Sequence, residues 1–167
     1  MRAESGLDDV ISSLKEHVRM TRELINDLRP LDLDQLGLAG ALTQHVERFG
    51  READIQVSLS VSSSPLANPL TEVTLYRVVQ ESLTNICKHA GARVVSVSVR
   101  DSRDGVELEV ADDGVGFNTS EIWSAPRDGL GLINMRERAE AIGGTFSIDS
   151  DIGKGCRLQI WLPNNGA

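Results

Sequence analysis

Val78-Val79-Gln80-Glu81-Ser82-Leu83-Thr84-Asn85-Ile86-Cys87-Lys88-His89-Ala90 carries two patterns at once. At about 100° per residue, Val79, Leu83 and Ile86 fall on one side of a helix, and Glu81, Asn85 and Lys88 fall on the other with His89 at its margin. The apolar side asks to be covered. The polar side puts an acid, an amide, an amine and an imidazole on one stripe, which by charge alone is ordinarily a solvated face. Asn85 argues for more, because asparagine weakens a helix interior and good helix formers surround it.

Working outward, this helix runs from about Leu70 to Ala90 and follows S-S-S-P-L-A-N-P, a loop by its turn chemistry. Before the loop, Ile55, Val57, Leu59 and Val61 alternate with polar residues as a half-buried strand does. Before that, L-D-L-D-Q-L-G-L leads into a helix with Leu38, Ala41, Leu42, Val46 and Phe49 on its apolar face, expected to end near Gly50. Leu7, Ile11, Leu14, Val18, Thr21, Ile25 and Leu28 step by four and three alternately, marking a first long helix that Arg29-Pro30 stops. That spacing suits either a seam in a helical bundle or an amphipathic helix packed on its own domain. Residues 1–30 are therefore set apart from 31–167.

On the other side, Val95, Val97, Val99 and Val106, Leu108, Val110 form two alternating segments joined by D-S-R-D-G, a hairpin. Residues 118–128 read as a loop. A helix from about Gly131 to Ile142 ends at Gly143-Gly144, and strands near 145–150 and 156–162 close the chain. Mostly hairpin-connected strands with helices enough to cover one face predict a two-layer α/β sandwich, and a doubly wound parallel sheet fits badly.

The 25 acidic against 17 basic side chains leave a net charge of −8, a poor match for a phosphate backbone, so nucleic acid is not an expected partner. No apolar run approaches the roughly 20 residues of a membrane span, and Met1 to Gly6 lacks a signal pattern. A cytoplasmic location with no membrane contact from this chain is expected. Cys87 and Cys156 stand far apart with no metal-ligand spacing, and both read as free thiols.

Three further stretches can carry chemistry. In Asp112-Asp113-Gly114-Val115-Gly116-Phe117, a carboxylate at a strand end can accept from an exocyclic amine, and the glycines allow close backbone approach to a ring or phosphate. Gly129-Leu130-Gly131-Leu132 opens a helix, where free N–H groups and the dipole favour an anion. Gly153-Lys154-Gly155-Cys156 joins the last two strands, as any hairpin turn could. None is a Walker loop, which needs glycine where Ile148 stands, or a dinucleotide fingerprint, whose third glycine would fall at Thr119 or Asn134.

Taken in order, these stretches resemble the histidine kinase, gyrase and Hsp90 type of ATP-binding domain, and within it the nitrate-sensor and DegS-like sensor histidine kinases. Q-E-S-L-T-N-I-C-K-H-A is similar to the family's N box, D-D-G-V-G-F to its first glycine box, and G-L-G-L-I-N-M-R-E-R-A-E-A-I-G-G to its second. G-K-G-C resembles the third. L-R-P-L-D-L-D-Q-L-G-L-A-G-A-L is similar to the join between a dimerisation helix and the catalytic domain. The resemblance implies Mg²⁺ held by Asn85, with Glu81 beside it as base or water-positioning group, and Lys88 and His89 on phosphate oxygens. Asp112 would accept from the adenine amino group, where guanine presents an oxygen. Gly114 and Gly116 would let the nucleotide lie against the backbone, Gly129, Gly131 and Leu132 would flank an ATP lid at 118–128, and Gly155 and Cys156 would complete the site.

Two departures from the family stand out. Cys156 replaces the usual threonine, and a thiol is the weaker hydrogen-bonding group. The family's phosphoacceptor is a histidine followed by an acidic residue, whereas His17 precedes Val18 and His45 precedes Val46. The acceptor is thus expected on a separate dimerisation helix, residues 1–30 being the tail of that region, with dimerisation left to a longer protein and a response regulator as the next partner. The rival expectations are a nucleotide-binding module that regulates without transfer, and a related serine kinase or ATPase on the same fold.

Overall fold

The computed structural model describes residues 30–62, 68–122 and 130–163. The expected first helix, with His17, and Gly129 lie outside the described residues. Helix α1 spans Leu31–Ala53, interrupted at Gly37, whose φ of 67° and ψ of 177° separate one short turn from the main helix. It buries Leu33, Leu38, Ala41, Leu42 and Val46. It does not end at Gly50. A Cβ there would sit 3.1 Å from the Ile55 carbonyl, so this glycine serves the close approach of the next strand. The left-handed cap falls on Asp54 instead, with φ 54°, a conformation aspartate tolerates.

Helix α2, Pro69–Asn85, opens with Asn68 accepting from the Leu70 N–H at 2.9 Å and with proline at its first position, where the missing N–H costs nothing. Its apolar side is wider than the Val79, Leu83, Ile86 stripe: Leu75, Tyr76, Val78 and Ser82 are buried too, because α2 packs on α1, on the sheet and on a later helix. At Ile86 the winding changes to a π turn through Ala90, which stops at Gly91 with φ 56°. A single regular helix to Ala90 was the expectation.

Strands β1 (Gln56–Val61), β2 (Val94–Ser102), β3 (Gly105–Asp112), β4 (Thr145–Ser150) and β5 (Cys156–Pro163) form one sheet in the order β1-β2-β3-β5-β4. Only β1 and β2 pair in parallel, joined by the α2 crossover; the other pairs are antiparallel. The register lines up Val97, Val110, Leu158 and Ile148 in one row, and Val99, Leu108, Ile160 and Phe146 in the next. These rows face the helices. Each large side chain so buried stabilises the fold by about 1.5–3 kcal/mol. The other face is polar and open. Helix α3 is a short piece, Thr119–Ile122, within the stretch expected to be a loop, and α4, Leu130–Ala141, buries Met135 and Ala139 against α2 and the sheet. The result is a layer of helices on one sheet face, a two-layer α/β sandwich.

Candidate functional site

Where β3 and β5 meet the ends of α2 and α4, a cavity of about 530 Å³ opens. Its floor comes from the sheet, Val110, Ile148 and Leu158, and its sides from Ile86, Ala90, Leu132 and Met135. Its size is that of a small-molecule site, and its walls are mostly apolar with few polar groups. Asn85 and His89 stand on the helical side, Asp112 and Cys156 on the sheet side, and Val115, Gly116 and Phe117 line the loop between them.

Asp112 ends β3 and pairs in register with Cys156, which begins β5. Its Oδ1 accepts from the Gly114 N–H at 2.8 Å, and no described residue bonds its other oxygen. Burial pushes this carboxyl above the usual range; the Gly114 N–H works against that and the Asp113 charge adds to it. Asp113 points the other way. Its Oδ1 accepts from Arg93 and Val94 N–H groups at 2.8 and 2.9 Å, which holds its pKa below the ordinary value and ties the loop to the start of β2. Burial, helped by the Asp112 charge, raises the Cys156 thiol to about 12, so it stays protonated at physiological pH.

The glycines are needed because backbone segments touch. The Val115 N–H donates to the Ala90 carbonyl at 2.8 Å, and a Cβ on Gly114 would collide with that same carbonyl. Gly116, at φ 60°, and Gly155, at φ 73°, lie so close to the Asp151 and Asp112 carbonyls that any side chain would strike them. Gly131 brings the first turn of α4 against the Glu81 carboxylate, and a Cβ there would lie 3.2 Å from Asn85 Nδ2.

The structure thus gathers Asn85, His89, Asp112, Gly116, Gly131, Leu132 and Cys156 around one cavity, with Glu81, Gly114 and Gly155 directly behind its walls. Lys88 is not among them. It lines a separate groove between α1 and α2, with His45, Arg48, Phe49 and Cys87. A π turn advances each residue through a smaller angle than an α-helix, so Lys88 lags behind the Asn85 stripe while His89 comes round to the cavity. Sequence reasoning assigned no role to Ser82, Phe117, Met135, Ile148 or Leu158. Strand alternation could have found the last two, since both face the helices in one register pair. Cys87 and Cys156 are free thiols.

Residues 70–166, more than half of the chain, match the family described as histidine kinase-, DNA gyrase B-, and HSP90-like ATPase. The chain is 36% identical over 172 residues to the oxygen sensor histidine kinase NreB of Staphylococcus carnosus, covering 98% of this chain and 49% of the relative. It is 33% identical over 169 residues to the signal transduction histidine-protein kinase/phosphatase DegS of Bacillus subtilis, covering 96% and 44%. It therefore spans about half the length of these relatives or less. Among solved structures, the histidine kinase AdeS of Acinetobacter baumannii superposes with a TM-score of 0.66 at 21% identity, over 95% of this chain and 80% of that one. The histidine kinase domain of a blue-light activated kinase of Erythrobacter litoralis gives 0.65 at 20%, over 79% and 68%. At those identities the two structures speak for the fold. With the cavity, its glycine loops and these likenesses together, the chain belongs to the histidine kinase-, DNA gyrase B-, and HSP90-like ATPase family, as the ATP-binding domain of a histidine kinase.

Proposed function

We propose that the chain is the catalytic part of a sensor histidine kinase, binding Mg·ATP and passing its γ-phosphoryl group to a histidine on a dimerisation helix outside this chain. The observation that carries this is the half-buried Asp112 carboxylate at the sheet side of an apolar cavity, with one oxygen left for a ligand. An acceptor in an apolar slot selects an exocyclic amine, and so adenine over guanine. Asn85 and His89 mark the end of the cavity proposed for the phosphates. Among the described residues no group of three or more His, Cys, Asp or Glu could hold a metal unaided. Asn85, with Glu81 one turn before it, fits an ion that takes most of its ligands from phosphates and water, as Mg²⁺ does. When bound, Mg²⁺ neutralises phosphate charge. Glu81 then serves as base or water-positioning group, and Gly131 lets the α4 terminus approach the same end.

His45 is poorly placed as acceptor. It lies in the α1–α2 groove, its ring tilted 55° against that of Tyr76 with centroids 5.8 Å apart, and its Nδ1 is 3.0 Å from an Arg48 Nη2. A response regulator is the proposed recipient downstream, dimerisation belongs to the longer protein, and a cytoplasmic setting supplies the ATP. Among the described residues no helix is long and apolar enough to cross a membrane.

The test incubates the chain with γ-labelled ATP, alone and with a separately supplied dimerisation-helix fragment carrying a histidine before an acidic residue. Acid-labile, alkali-stable label on the fragment, and none on the chain, is expected. ATP binding without label on either would favour a regulatory module that does not transfer. Label mapped to His17 or His45 would overturn the placement of the acceptor.

A further inference from the structure

Ser150 lies outside every motif above, yet it is one of the few polar side chains buried in the described structure, 8% exposed. It ends β4 opposite Cys156. Its hydroxyl accepts from the Phe117 N–H at 3.0 Å and donates to the Gly155 carbonyl at 2.8 Å. A hydroxyl has one proton and two lone pairs. With the proton on Gly155, a lone pair is left to receive the Phe117 N–H, so the one hydroxyl serves both partners in its two roles.

Those two partners belong to two segments far apart in sequence. The loop 113–117 supplies Val115, Gly116 and Phe117 to the cavity, and the turn 151–155 leads into Cys156. The Gly153 N–H donates to the Val115 carbonyl at 2.6 Å, and Gly116 and Gly155 press on the opposing backbone. Ser150 itself does not line the cavity. It stands behind the wall and bonds to it from both sides.

We propose that Ser150 is the positioning residue of this site, joining the two glycine loops so that the wall carrying Phe117 and Cys156 is assembled before nucleotide arrives. The proposal rests on the reading of the cavity as an ATP site. It leaves Asp112 as the acceptor that selects the base.

The experiment measures ATP and GTP affinity by calorimetry for the full chain, S150A and S150T, with hydrogen exchange at the Phe117 amide. In S150A, ATP affinity should fall roughly tenfold well below the melting temperature, since a part-buried N–H and a buried carbonyl lose their partner. The preference for ATP over GTP should stay, because Asp112 is untouched. S150T, which keeps the hydroxyl, should hold affinity within about threefold of the wild type. In the nucleotide-free wild type, the Phe117 amide should exchange at least about a hundredfold more slowly than an open loop amide. Unchanged ATP affinity in S150A would overturn the proposal, as would a Phe117 amide protected only after ATP is added. If S150A does not fold, the wild-type exchange decides alone. A wild type that binds no ATP would instead sink the cavity reading, and Phe117 exchange would still judge the role of Ser150.

Discussion

Asp112→Asn separates what the carboxylate does for ligand from what it does for the fold. Asn keeps the size and an oxygen for the Gly114 N–H, now 2.8 Å from Oδ1, so the local turn should survive. The nucleotide loses a hydrogen bond to a charged acceptor, about 1.5–3 kcal/mol, or roughly 10- to 150-fold in affinity. An amide also donates, so GTP should gain on ATP. Stability should move the opposite way. Burial raises the Asp112 pKa in the folded chain above its unfolded value, so the folded state binds the proton more tightly. Stability from this group is then present below the unfolded pKa and lost as pH rises through the folded one. At pH 7 the ionised carboxylate opposes folding, and D112N should melt no lower than the wild type. That advantage should shrink as pH falls into the mildly acidic range. Calorimetry with ATP and GTP and thermal melts from pH 5 to 8 check both arms. An ATP affinity that survives in D112N, or a mutant that melts well below wild type at pH 7, would refute the reasoning.

Asn85→Ala should abolish the Mg²⁺-dependent part of ATP binding and leave the melting temperature within a few degrees, because Asn85 sits on the cavity side of α2, away from Val79 and Leu83; calorimetry with and without Mg²⁺ reads it. Lys88→Ala should change ATP affinity less than about threefold, since Lys88 lines the α1 groove, and a large loss would return it to the phosphates. Gly116→Ala should destabilise by about 2–4 kcal/mol in a denaturant titration, combining a left-handed backbone at φ 60° with a clash against the Asp151 carbonyl.

Sheet and helices were legible because their periods are clean: Val95, Val97, Val99 and Val106, Leu108, Val110 alternate without error, and all are buried on the helical face. Less legible were the places where one residue answers two demands. Gly50 looks like a helix stop but serves contact with β1, and the stop passes to Asp54. The stripe of Glu81, Asn85 and Lys88 assumes 100° per residue to the end, and the π turn breaks that assumption after Asn85. Ser150 gives no local signal at all, since its partners Phe117 and Gly155 are brought to it by strand register and loop closure.

The π turn also bears on how a triphosphate could be neutralised. It carries the Ala90 carbonyl to the Val115 N–H and His89 to the cavity, while Lys88 turns toward α1. Among the described residues no lysine or arginine lines the cavity. A ligand with several negative charges entering so apolar a slot needs a counter-charge, because unpaired charge in a low-dielectric site is costly. Helix α4 offers only its N-terminal dipole, roughly half an elementary charge. On the proposed reading, counter-charge would come in with the ligand as a hydrated divalent ion, which the uncharged Asn85 amide would receive without repelling it. A neutral ligand for the ion suits this position better than a lysine would, since a fixed cation one turn away would compete with Mg²⁺ for the same phosphate oxygens. On the proposed reading, the change in winding at Ile86 would make nucleotide binding depend on the metal through backbone geometry.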